Sequence, residues 1–177
     1  MGTAQRSDAA KNRSAIVAAA VGLFASEGIE VPVEAIVRAA GVGRATFYRH
    51  FPERHDLTAA ALSEAVDDLR TLHTSLLAAA DPTAALATWL RALVAFSSTY
   101  RGLPTHVLDA SSPSSFRETC DQLEAMTTEL TEGVPNRESS SLGGTDLYIL
   151  ANAIAWTIDL TGDRSRANVY VEALARA

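Results

Sequence analysis

The 177-residue chain holds a single cysteine, Cys120, so it can form no disulfide within itself and can assemble neither a zinc finger nor a CxxC redox pair. Aromatic residues are scarce, at 6%. No stretch approaches the ~18 uninterrupted apolar residues of a membrane span. The N-terminal alanines are interrupted by Arg6, Asp8, Lys11 and Arg13, which leaves no apolar signal-peptide core. A soluble protein of the reducing cytoplasm is therefore expected. His50, His55, His73 and His106 lack the spacing of metal ligands, so no metal site is expected. A phosphate-cradling glycine loop, a Ser/His/Asp order and paired carboxylates are all missing, so no catalytic residue and no cofactor are assigned.

What is present favours helices. Hydrophobic residues make up 47% of the chain and its mean hydropathy is near zero, enough apolar matter to offset the entropy of ordering. Alanine is abundant, whereas glycine and β-branched residues are modest. The net charge of −6 argues at first against a nucleic-acid partner, but its distribution is uneven. Residues 1–58 carry seven basic side chains (Arg6, Lys11, Arg13, Arg38, Arg44, Arg49, Arg54) against six acids, a balance of +1. The remainder balances at −7. A basic end on an acidic body suits a molecule with two tasks.

The apolar spacing divides the chain into helices. Ile16, Val17, Ala20, Leu23 and Phe24 draw one stripe on a helix from about Asp8 to Glu27, preceded by a few disordered residues and stopped by Gly28. Pro32 opens a second, short helix with Val33, Ile36, Val37 and Ala40 on one face, and Gly41 breaks it. Arg44 to His50 is a third segment, too short to stand alone and held by Val42, Phe47 and Phe51. Longer helices are expected from Glu53 to about Ala80 and, behind the Asp81-Pro82 cap, to about Tyr100. The latter is apolar nearly all round and should be central. Residues 101–112 read as a turn and a short helix. After Ser112-Pro113 a further helix carries Phe116, Cys120, Leu123, Met126 and Leu130, and Gly133 to Gly144 reads as a mobile loop. Two last helices fall at about 145–160 and 164–176. The expected fold is all-α with about nine helices: three in an N-terminal domain over 1–58 and the rest in a larger helical bundle over 59–177.

Two short helices joined by a three-residue turn containing glycine form the helix-turn-helix pattern. Gly41 permits the turn, while Ile36, Val42 and Phe47 pack the pair against the first helix. Arg44, Ala45, Thr46, Tyr48 and Arg49 are left outside. Residues opening the third segment would enter the major groove, where arginine can bond guanine with two donors and small residues allow close approach. Thr46, Tyr48 and His50 suit phosphate oxygens.

The run AIVRAAGVGRATFYRHFPERHDL, residues 35–57, closely resembles the DNA-binding segment of TetR-family repressors, and AAAVGLFASEG, residues 18–28, is similar to that family's first helix. The likeness spans residues 13–58, and its AGVGxxTxYRHF core is highly specific. It implies a homodimer whose C-terminal helical domain binds a small molecule and pairs through its last two helices. It also implies that Gly43, Arg44, Ala45 and Thr46 open the recognition helix and that Tyr48 and His50 touch the DNA backbone. Arg54 stands where the family usually has a lysine contacting phosphate. Pro32 and Glu53 replace the small polar caps usual for the second and fourth helices, each at a cost of about 1 kcal/mol. Val37 fills a position where alanine is usual.

In the body, Trp89, Phe96, Tyr100, Phe116 and Trp156 are candidates to line a pocket between helices, with Thr99, His106 and Asn152 as polar handles. Cys120 falls on an apolar stripe and reads as core. The leading expectation is a homodimeric repressor on a near-palindromic operator, answering to a small-molecule effector and without a membrane partner. A helical module for ligand or protein binding that no longer uses DNA is the alternative, kept alive by the low positive charge of residues 1–58. An enzyme is the weakest reading.

Overall fold

The computed structural model describes residues 2–100, 114–135 and 142–176, and among these every regular element is a helix. In chain order they are α1 (Gly2–Glu27), α2 (Val33–Ala40), α3 (Arg44–His50), α4 (Arg54–Leu77), α5 (Pro82–Thr99), α6 (Ser114–Glu132), α7 (Gly144–Thr161) and α8 (Ala167–Arg176). The short helix expected within 101–112 lies outside the described residues, as do residues 136–141 of the expected loop. One expectation is adjusted at the N-terminus: α1, expected from about Asp8, begins at Gly2. Another is adjusted near the C-terminus. Ser165 N–H bonds Asp163 Oδ1 at 2.8 Å, and this local turn delays α8 to Ala167.

The ends of the helices follow from their residues. Gly28 and Gly41 take φ of 93° and 65°, values that glycine adopts without strain, and they end α1 and α2. Asp81 caps α5 by accepting from Ala84 N–H at 2.9 Å, with Pro82 at the first helical position. Pro32 and Glu53 give no side-chain cap to α2 and α4, as their chemistry dictates.

One continuous apolar core runs the length of the molecule. At the N-terminal end Ile16, Ala20 and Phe24 of α1 meet Ile36 of α2, Phe47 and Phe51 around α3, and Leu57 of α4. The same α4 carries Leu62, Val66 and Leu69 into the body, so a single rigid rod joins both ends. There α5 is central: Leu86, Trp89, Leu90 and Leu93 are buried on several sides, and α4, α6, α7 and α8 all pack on it. Arg91 of α5 pairs with Glu172 of α8 at 2.6 Å. Where α6 and α7 cross, Gly144 lies so close to Thr128 that a Cβ there would come within 2.3 Å of its Cα.

Candidate nucleic-acid interface

A helix of seven residues has too few internal bonds to persist alone, so α3 depends on what lies beneath it. Phe47 is fully buried and its ring lies 6.2 Å from that of Phe51. From the solvent side Tyr48 packs edge-on to Phe47, with centroids 5.2 Å apart, yet remains 44% exposed. Its ring is braced against Phe47 and partly open to solvent. The Arg13 guanidinium of α1 sits 5.2 Å from the Phe51 centroid and closes the underside.

The turn before α3 is set by Gly41, whose N–H bonds the Arg38 carbonyl at 3.3 Å while Val42 N–H bonds that of Val37 at 3.2 Å. Gly43 follows in extended backbone at the mouth of α3, and a Cβ there would meet nothing within 4 Å. The surface at that point is open. On α3 itself Arg44, Ala45, Tyr48 and Arg49 are exposed and share one side of the helix, and Thr46 is half-buried at its margin. The structure thus brings Gly43, Arg44, Ala45, Thr46, Tyr48 and Arg49 together. Two cations, a phenol and small residues on a protruding short helix can offer guanidinium forks to base edges and donors to phosphate.

Two expected members of this group are placed differently. The Arg54 Nη2 donates to the carbonyls of Val31, at 2.7 Å, and of Ile29. Instead of reaching outward to phosphate, its guanidinium ties the start of α4 to the buried connector between α1 and α2. Pro32 and the extended backbone around it leave those carbonyls without helical donors, and Arg54 supplies them. His50 is half-buried, and its Nε2 faces inward without a hydrogen-bond partner. Sequence periodicity also missed Glu34 of α2, whose Oε1 lies 3.0 Å from Arg44 Nη2. Only the turn at residues 41–43 brings these positions side by side.

The residues expected to line a pocket divide in the body. Trp89 is buried and donates from Nε1 to Thr127 Oγ1 at 2.8 Å, with the His73 ring 5.7 Å away. Phe96 and Tyr100 are buried with centroids 5.2 Å apart. Asn152 is buried, accepts from Ser97 Oγ at 2.9 Å and donates to the Tyr148 carbonyl. Two candidates are corrected. Thr99 is exposed and its hydroxyl bonds the Ala95 carbonyl of its own helix; Trp156 is 49% exposed on the outside of α7. His106 lies outside the described residues, as does the side chain of Phe116. Burial holds the Cys120 thiol above its ordinary range, against the hydrogen bond from Tyr148. Burial likewise raises the Tyr148 phenol, so both stay neutral near pH 7. Among the described residues no three His, Cys, Asp or Glu side chains are grouped to hold a metal ion, and no helix is long and apolar enough to cross a membrane.

Residues 16–61 match the family model of bacterial regulatory proteins of the tetR family. A TetR transcriptional regulator from Streptomyces coelicolor is 29% identical over 93% of this chain and 96% of its own, with a TM-score of 0.62. The TetR transcription regulatory protein of Mycobacterium vanbaalenii is 27% identical over 88% of this chain and 96% of its own, at a TM-score of 0.53. The transcriptional regulator FadR of Bacillus subtilis, solved in complex with stearoyl-CoA, shares the fold at 16% identity and a TM-score of 0.65, covering 92% of this chain and 95% of that one. No curated protein matches the chain.

Proposed function

The chain belongs to the TetR family of DNA-binding transcriptional regulators, and from that premise we propose that it is a homodimeric repressor whose grip on a near-palindromic operator is modulated by a small molecule. The family is one of regulators rather than enzymes, which sets the catalytic alternative aside. The observation that carries the proposal is α3: its apolar side is sealed by Phe47 and Phe51, while Arg44, Tyr48 and Arg49 stand in solvent on one face. Those residues, with Gly43, Ala45 and Thr46, form the proposed reading surface, and His50 lies at its edge.

The division of labour runs near residue 58, inside α4, with residues 1–58 reading DNA and 59–177 binding effector and partner. Pairing through α7 and α8 has support in their exposed apolar side chains. Trp156 and Leu160 lie four residues apart on one face of α7, Leu160 at 68% exposure, and Val169 and Tyr170 stand out on α8. A second copy would cover them and set the two α3 helices about one DNA turn, ~34 Å, apart. For the effector, the proposed lining is Trp89, Phe96, Tyr100 and Asn152. That FadR holds stearoyl-CoA on this fold supports a small-molecule effector of the helical body. Since α4 belongs to both ends of the core, movement at α5 or α6 is passed to the DNA end, and a coupling of about 1 to 3 kcal/mol is sufficient for regulation.

The test is selection of duplex fragments by the purified protein, followed by binding of the Arg44→Ala/Tyr48→Ala double variant to the best fragment. A palindromic sequence is expected. The double variant should bind it at least tenfold more weakly, since a bidentate base contact is worth about 1 to 3 kcal/mol. Unchanged binding by that variant would remove α3 from the DNA-reading role.

A further inference from the structure

We infer that Glu34 is a specificity-determining residue of the DNA-reading surface, positioning the Arg44 guanidinium for a base edge and withholding it from phosphate. The inference rests on the reading of α3 above and extends it to a residue of another helix. Arg44 is the first residue of α3, where aligned peptide dipoles already concentrate positive charge and disfavour a cation. No acid occupies the first turn of α3 to offset this. The compensation comes from α2. Glu34 lies in that helix's own first turn, where a carboxylate is favoured and where Pro32 provides no side-chain cap. From there its Oε1 meets Arg44 Nη2 at 3.0 Å.

The pair has little to do with stability. Its side chains are 63% and 58% exposed, and ion pairs in water hold a fold together weakly. Toward DNA, moreover, a carboxylate beside the reading arginine is repulsive. Its use lies in what it does to the guanidinium. A planar group with five N–H donors, held at one nitrogen, keeps other donors for the O6 and N7 of a guanine. Unheld, the same long side chain samples rotamers that reach the nearest phosphate, a contact available on every sequence. The Glu34 charge holds the first arrangement and repels phosphate from the second, so affinity is exchanged for discrimination.

Glu34→Gln keeps the shape and removes the charge. Its binding is to be compared with the parent's on the selected operator, on single-base variants of that operator and on unrelated duplex, each across a salt series. The variant should bind unrelated duplex several-fold more tightly. It should lose about tenfold of the discrimination at the one position Arg44 reads. Its plot of log affinity against log salt should steepen by about one, as a freed arginine takes up a phosphate. In an Arg44→Ala background the same substitution should change discrimination no further. If Arg44→Ala loses the base preference while Glu34→Gln keeps the parent's preference and salt slope, the role of Glu34 is refuted and α3 still reads DNA. If Arg44→Ala itself keeps the preference, both readings fall together.

Discussion

A guanidinium is retained in a protein's interior margin only where acceptors meet it, and Arg54 has two, the carbonyls of Ile29 and Val31. Ile29 and Val31 are themselves buried, so water cannot easily replace the lost donor. Arg54→Ala should therefore lower the free energy of unfolding by about 2 kcal/mol, read from denaturant titrations. Its operator binding should keep the parent's salt slope; a slope shallower by about one would return Arg54 to the phosphate contact implied by family likeness. At this scale the sequence was legible wherever one residue has one physical use. Gly41 had to turn, Phe47 had to be buried and Asp81 had to cap. It was not legible for Arg54, Glu34 or His73, because a charged or polar side chain has several possible partners and only the fold selects one. His73 Nε2 lies 3.3 Å from Glu129 Oε2 across 56 positions of chain, a proximity that no local spacing encodes.

Helices were placed from the sequence by stripe and punctuation, and errors fell at their ends. Gly28, Pro32, Gly41 and Pro82 mark boundaries because each restricts or frees the backbone itself. The boundary of α8 was set by an Asp163 side chain turning on the backbone, and that of α1 by a helix continuing without a stop signal. Contacts between elements are less legible still. Gly144 begins α7 in the sequence as one glycine of a serine- and glycine-rich stretch, but in the fold it lets α7 approach the Thr128 backbone of α6. Gly144→Ala should force the two helices apart and destabilise the protein by about 1 to 3 kcal/mol, measured by thermal unfolding. A change below 0.5 kcal/mol, which is about the scatter of surface substitutions, would mean that the crossing yields freely.

As a whole, the molecule is a short reading helix set on a rod, α4, whose other half is embedded in a bundle around α5. In the proposed dimer two copies present their α3 helices together, and the exposed apolar side chains of α7 and α8 are where they would meet. Trp156→Glu with Leu160→Glu should give a monomer in sedimentation and weaken operator binding more than tenfold, since the second half-site is then lost. A dimer that survives both charges places the interface elsewhere. The sequence by itself determined the helical class, the helix-turn-helix and most residues of its outer face, because periodicity, glycine and proline act within a few positions of chain. Only the tertiary structure decided that Arg54 clamps a connector, that Glu34 holds Arg44, and that Trp156 faces outward while Trp89 is sealed in. Those outcomes depend on which surfaces meet after the chain has turned several times, and an apolar or charged side chain does not carry the identity of its eventual neighbour.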